Sequence, residues 1–385
     1  MTRSNKILLF LILNSSFQIL HSQDSLYARL VIKKLTSKEF YGRGYLNNGL
    51  DEAAKFISSE LKRFKAEPLF TTGYYQWFDF DVNAFPNKMN VKLNGKLLKP
   101  GIDFIPTPES SSIKGKYTLV KKDSINYLAE NSPIPLAVSL KRKLTFSVAT
   151  NSASYCAIEI LNTDQFKEIK TIDLTVESKV LTKYINKNIC AFIKGTQNND
   201  TVIMFTAHYD HLGGIGKKTF FPGANDNASG VSMVLNLVKY YSEHPPKYKM
   251  VFVFFAGEEA GLIGSKYFVD NKTVDLTKIK FLINLDLLGT GVDGIMVVNS
   301  TEYKSQFEKL KKVNDEYGFI KEIKSRGKAH NSDHYWFSEN GVPCFFIYTL
   351  GGIKAYHDVF DVEKTLPLTS YTNVFRLLTG FVKVQ

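Results

Sequence analysis

The 385 residues are 44% hydrophobic and 22% charged, enough apolar material for a full core and a second module, which excludes an intrinsically disordered chain. Against 37 Asp and Glu stand 49 Lys and Arg, a formal charge of +12; such a balance governs solubility and association rather than chemistry, and with no nucleic-acid-binding motif beside it no nucleic-acid partner is expected. Three scattered cysteines, Cys156, Cys190 and Cys344, exclude a disulfide framework and a Cys-based zinc site and leave room for one disulfide at most.

The chain opens with Arg3 and Lys6, an apolar run from Ile7 to Leu13, a break at Asn14-Ser15-Ser16, and small or polar residues at Ser22-Gln23. This is the pattern of a secretory signal peptide over residues 1–22. The apolar run is too short to span a bilayer, and no cysteine follows it to carry a lipid anchor. Cleavage removes Arg3 and Lys6 and lowers the formal charge to +10. The expected product is exported, periplasmic or secreted, without stable membrane insertion.

From Ala28 to Phe64 apolar residues recur at three- and four-residue spacing, clearest over Asp51–Leu61, which reads as helical, and residues 23–93 are taken as the N-terminal part of the main domain. Between Tyr74 and about Val180 the texture turns to short alternating runs, among them Asn90–Leu93, Tyr117–Val120 and Leu144–Val148, punctuated by Asn94-Gly95, Pro100-Gly101 and Pro106-Thr107-Pro108. Residues 94–184 are therefore expected to form a β-rich insertion. Within it the basic run Lys141-Arg142-Lys143 reads as a solvated strand edge.

Over 185–385 strands and helices alternate. Val202–Thr206, Met250–Phe255, Phe281–Leu285 and Pro343–Tyr348 read as buried strands, and Gly230–Tyr241, Glu259–Val269 and Glu302–Tyr317 as helices. The alternation predicts an α/β class, a three-layer α/β/α sandwich with helices on both faces of a mostly parallel mixed sheet. Polar residues cluster just past the strand ends: Ala207-His208-Tyr209-Asp210-His211, Gly257-Glu258-Glu259-Ala260, and Asn284-Leu285-Asp286. In open α/β sheets ligands bind outside the carboxyl ends of the strands, so these distant segments are expected at one edge. Gly223-Ala224-Asn225-Asp226-Asn227-Ala228-Ser229-Gly230 and Tyr356-His357-Asp358 join them. A collection of imidazoles and carboxylates suits zinc.

The blocks HYDHLG, GANDNASG, GEEAGLIGS, NLD and YHD, in this order and spacing over residues 186–385, resemble those of the co-catalytic zinc exopeptidases of peptidase family M28. The segment from Leu35-Thr36-Ser37 through Gly42-Arg43-Gly44 to Leu61 is similar to the family's N-terminal helical part. The family includes bacterial aminopeptidases, glutamate carboxypeptidase-like enzymes, transferrin receptors and glutaminyl cyclases. Residues 94–184 sit where some members carry a protease-associated insertion, here a degenerate one. Carried over by position, the resemblance implies two zinc ions per chain: His208 and Asp286 on one, Glu259 and His357 on the other, Asp226 bridging both. It implies Glu258 as general base to a metal-bound hydroxide that attacks a peptide carbonyl, and Tyr356 as a donor to the oxyanion.

The chemistry agrees with that assignment. A carboxylate has two oxygens and can span two metals roughly 3.5–4 Å apart. Adjacent glutamates past a strand end can diverge, one to metal and one to water. Asp210, two residues after His208, is placed to accept the other imidazole N–H. His211 is read as ordering its loop, and Asn331-Ser332-Asp333-His334 as an element at the site rim, with neither Asp333 nor His334 a metal ligand. His244 precedes Pro245-Pro246 in a surface turn, and His330 has no partner pattern.

The expected activity is that of an exported di-zinc exopeptidase acting on peptides, most simply an aminopeptidase. A carboxypeptidase or dipeptidase of the same family, a single-zinc glutaminyl-peptide cyclotransferase and a non-catalytic binding member are the alternatives. Oligomeric state is left open.

Overall fold

Every residue of Val202–His208 is buried, as is all but the first of Lys249–Phe255. A strand with no exposed face must be covered on both sides, and the computed structural model, which describes residues 25–163, 168–197 and 199–385, shows how. The signal peptide read over 1–22 lies outside the described residues. Four strands, Lys249–Phe255, Val202–His208, Ile279–Leu285 and Cys344–Thr349, run parallel side by side in that order. Antiparallel strands extend this centre. Lys179–Ile193 pairs with Lys249–Phe255 and itself carries Tyr75–Ala84 and Glu67–Pro68; on the far side Ile295–Val298 pairs with Cys344–Thr349 and Ile323–Arg326 follows it.

Successive side chains of a strand point to opposite faces, and the core divides accordingly. Ile203, Phe205 and Ala207, with Met250, Phe252 and Phe254, pack under the helices at 25–35, Gly49–Arg63, Gly230–Glu243, Lys304–Tyr317 and Tyr371–Lys383. Val202 and Met204, with Val251, Val253 and Phe255, pack under Ile263–Asp270 and His334–Glu339 through Phe268 and Phe337. The helix Gly49–Arg63 buries Leu50, Ala53, Ala54, Ile57 and Leu61, the three- and four-residue stripe of a surface helix. None of the described helices is long and apolar enough to cross a membrane. The fold is the expected sandwich. Ile295–Val298 and Ile323–Arg326, short and at the sheet's edge, were not expected from the sequence.

A second, eight-stranded sheet has the order Lys96–Leu97, Asn90–Leu93, Thr171–Val176, Ile113–Lys121, Asn126–Ala129, Leu136–Lys141, Cys156–Leu161, Phe104–Pro106. Burial alternates along Leu136–Lys141, Cys156–Leu161 and Thr171–Val176, so one face makes a core and the other meets solvent. Phe85, Leu212, Ile215 and Phe221 complete that core from outside the sheet. The sheet runs from Asn90 to Val176 rather than 94 to 184, because Asn90–Leu93 pairs with Thr171–Val176 while Lys179–Ile193 pairs with Tyr75–Ala84. Leu144–Val148, read above as a strand, is an extended segment outside both sheets: the Phe146 N–H goes to the His357 carbonyl at 2.9 Å instead of to a neighbouring strand. Cys156, Cys190 and Cys344 are buried free thiols.

Candidate metal centre

The parallel strands deliver their carboxyl ends to one edge, and the expected residues meet there. His208 ends its strand and Asp286 directly follows Leu285 of the next. Glu258 and Glu259 lie in the turn between Lys249–Phe255 and Ile263–Asp270. Asp226 comes from the irregular turn Ala224–Ser229 that leads into Gly230–Glu243, with φ −107° and ψ 99° and a cis bond to Asn227. His357 comes from a loop after Cys344–Thr349.

Asp226 sits in the middle. Its Oδ1 is 3.3 Å from His208 Nε2 and its Oδ2 is 3.1 Å from His357 Nε2. His208 Nε2 lies 3.4 Å from Asp286 Oδ2, and His357 Nε2 lies 3.1 Å from Glu259 Oε2. Two nitrogen-and-carboxylate sets thus share one carboxylate, with one oxygen turned to each. The donors fit zinc: two ligands about 2.0–2.1 Å from one ion at the tetrahedral angle lie roughly 3.3–3.4 Å apart. Asp286 Oδ1 and His208 Nε2 are buried with no hydrogen-bond partner, the condition of atoms that await a ligand.

The electrostatics point the same way. Burial opposes charge on His208 and His357, but the surrounding carboxylates outweigh it and raise both imidazoles, His357 to about 11. Burial first, then Glu259, Asp333 and Asp286 as like charges, push the Glu258 carboxyl well above its ordinary range, with His208 acting against them. The cluster asks for positive charge, which protons or metal cations can supply.

Asp210 is fully buried, and its carboxylate accepts the backbone N–H groups of Glu258 and Glu259, each at 3.3 Å. The His208 Nδ1 hydrogen goes to the main-chain oxygen of Asp210 at 3.2 Å; the carboxylate expected to take it is farther, at 3.7 Å. The carboxylate is already engaged with the two glutamate N–H groups. Tyr356, 44% exposed, lays its ring flat on the His357 imidazole at 4.0 Å and 13°. Its hydroxyl pKa is raised, by burial first and by the carboxylates next.

Other placements depart from the sequence reading. His211 lies inside the cluster, fully buried, with Nδ1 2.7 Å from Glu259 Oε1 and within reach of Asp226. Asp333 and His334 are fully buried rather than at the rim; burial pushes the Asp333 carboxyl up to about 7 and holds the His334 imidazole down at about 3.

Arg43 and Asp361 were not singled out as site residues. Arg43 is fully buried and spends all five N–H donors on main-chain oxygens: Tyr209 at 3.0 Å, Leu35 at 3.2 Å, Pro222 at 2.7 Å, Gly223 at 2.8 Å and Asp226 at 3.1 Å. It ties the His208 strand end to the Asp226 turn. Gly223 at φ +60° leaves the room: a Cβ there would run into the Asp226 carbonyl and the Arg43 guanidinium. Asp361 accepts the backbone N–H groups of Asn225 and Asp226 at 2.9 and 3.0 Å. The Gly42-Arg43-Gly44 element was a readable signal for the first; a single aspartate in a loop gave none for the second.

A model of peptidase family M28 matches residues 188–382. Aminopeptidase YwaD of Bacillus subtilis is 26% identical over 250 residues, 60% of this chain and 53% of that protein. A probable zinc metalloprotease of Pyrenophora teres f. teres is 24% identical over 207 residues, 49% of this chain and 41% of that protein. The chain spans about half the length of the curated relatives it matches. Among solved structures, a zinc aminopeptidase from Bacillus subtilis, BSAP, superposes with a TM-score of 0.68 at 19% identity over 93% of this chain and 94% of the other. A glutaminyl cyclase from Bacteroides thetaiotaomicron does so with a TM-score of 0.53 at 14% identity over 93% and 97%. At such identities the superpositions speak for the fold, whereas the family match takes in His208, Asp226, Glu258, Glu259, Asp286 and His357 together, and the chain belongs to peptidase family M28.

Proposed function

We propose that the protein is a di-zinc exopeptidase, most simply an exported aminopeptidase that removes N-terminal residues from peptides. The observation that carries this reading is the sharing of Asp226 between two donor sets, one oxygen facing His208 and the other His357. His208 and Asp286 would hold one zinc, Glu259 and His357 the other, and Asp226 both. Bound zinc supplies Lewis acidity, which polarises a carbonyl and makes water a nucleophile at neutral pH.

The chain's own residues do the rest. Glu258, grouped with His208 and Glu259, takes the proton of the attacking water and passes it to the leaving amine. Asp210 fixes the backbone from which both glutamates project by accepting both of their N–H groups. Tyr356, on the solvent side of His357, donates its hydroxyl to the oxyanion as charge develops. Arg43 and Asp361 hold the Asp226 turn, so that its two oxygens stay divided between the sets.

The likeness to a glutaminyl cyclase keeps cyclisation of N-terminal glutamine as the second reading. The complete pair of donor sets favours hydrolysis. A panel of aminoacyl chromogenic substrates, dipeptides and blocked peptides, assayed with and without chelator beside a zinc count, separates the two. The expected result is chelator-sensitive release of N-terminal residues and about two zinc ions per chain. Cyclisation without hydrolysis, or inertness of the zinc-loaded protein toward every free-amine substrate, would overturn the proposal.

A further inference from the structure

We propose that the β-rich unit is part of the metal centre: its segment Lys143–Phe146 is a strut that positions His357, an inference that rests on the reading of His357 as a zinc ligand. His357 needs one. It lies in a stretch with no helix or strand of its own, at φ +52°, in the left-handed region that a residue with a side chain seldom adopts.

Two ties come from the Phe146 backbone. The His357 Nδ1 hydrogen goes to the Phe146 carbonyl at 3.0 Å, and the Phe146 N–H donates to the His357 carbonyl at 2.9 Å. The first keeps Nδ1 as a donor to backbone, so that Nε2, which faces Asp226 and Glu259, is the nitrogen whose proton zinc would replace. The second fixes the backbone from which that ring swings.

Lys143 makes the third tie. Its ammonium donates to the carbonyls of Lys354 at 2.9 Å and Tyr356 at 3.0 Å and pairs with Asp358 Oδ2 at 3.2 Å. Three protons meet three acceptors on both sides of His357. The Asp358 carboxylate also accepts the Phe360 N–H at 3.0 Å, which closes the turn just beyond the histidine.

The strut is rooted in the second core. The Phe146 ring stacks on Phe221 at 4.9 Å and 7° and stands edge-on to Phe85, all three among the buried residues of that core. Phe221 precedes Pro222 and Gly223, whose carbonyls Arg43 holds, so the same root borders the Asp226 turn. The basic run read as a solvated edge therefore divides: Lys141 pairs with Glu159 of its own sheet at 3.0 Å, while Lys143 crosses to the catalytic loop.

Lys143 is a positioning residue, and its partly exposed side chain permits replacement without disturbing a core. The test compares the wild-type protein with Lys143→Met, Lys143→Arg and Lys141→Met. Zinc affinity is read by competition with a chromogenic chelator, and the His357 Nδ1–H by its nitrogen-15 NMR signal and solvent exchange. Lys143→Met is expected to weaken one of the two zinc ions about 10-fold and leave the other unchanged, the scale on which groups that support a metal ligand act. Its Nδ1–H signal should exchange faster. Lys143→Arg should recover part of the affinity, and Lys141→Met should match the wild type. Equal affinity for both ions in Lys143→Met and wild type, with an unchanged Nδ1–H, would overturn the strut. A wild-type protein that does not take up two zinc ions would overturn the functional reading itself.

Discussion

The two sheets of this molecule use similar apolar residues and bury them differently. In Val202–His208 all seven residues are buried; in Leu136–Lys141 every second one is. The first strand lies at the centre of a sheet with helices on both faces, and the residues just past its end, Tyr209 to Gly213, are buried like the strand itself. The second lies in a sheet with one wet face, where polar side chains are solvated and pair only at the surface, as Lys141 does with Glu159. The groups of three or more ligand-type residues found among the described residues all fall at the edge of the first sheet. A buried polar cluster thus marks where chemistry is carried, and a singly covered sheet can serve it only by contact.

That contrast can be broken or sharpened by substitution. Glu258→Gln should cost about 10²–10⁴ in kcat, the range of general acid–base catalysis, with zinc content and melting temperature near those of the wild type. Peptide hydrolysis that survived in the zinc-loaded variant would remove the mechanism. Asp226→Ala should empty both zinc positions, whereas Asp286→Ala should spare the one served by Glu259 and His357. Equal zinc loss in the two variants would show that Asp226 does not bridge.

Stability probes follow. Phe205→Ala, in the centre of the doubly covered sheet and stacked on Phe252, should cost about 3–5 kcal/mol in denaturant unfolding. Ile158→Val, on the buried face of the second sheet, should cost about 0.5–1.5 kcal/mol and leave kcat and zinc affinity intact. Should it alter zinc affinity, the two units are coupled through more than the Lys143–Phe146 contact. Lys266→Ala, which removes an exposed pair with Asp270 on Ile263–Asp270, should change stability by less than about 0.5 kcal/mol. A larger loss would mean that the helix carries more of the second face than its packing shows.

Much of the α/β core was legible because its strands are continuous apolar runs and its helices keep a three- and four-residue stripe. The candidate metal residues were legible because they stand in short blocks at strand ends. What escaped has a common cause. Leu144–Val148 alternates like a strand, yet its partner is a loop more than two hundred residues away, and local pattern carries no information about such a partner. Lys143 has the composition of a solvated edge, and only its contacts with Lys354, Tyr356 and Asp358 distinguish it from Lys141. Asp361 was missed, and the contact of His211 with Glu259 was not foreseen, because a carboxylate or imidazole acquires a role from what faces it.

By itself the sequence determined the class of fold, the family and the blocks that carry the candidate metal residues, since these depend on residue type, order and short-range periodicity. Tertiary structure alone decided that each Asp226 oxygen faces a different histidine, that Asp210 holds the paired glutamates by their backbone rather than by way of His208, and that the β-rich unit reaches His357. Each of these is a distance between residues far apart in the chain, and such distances exist only after the core has closed around them.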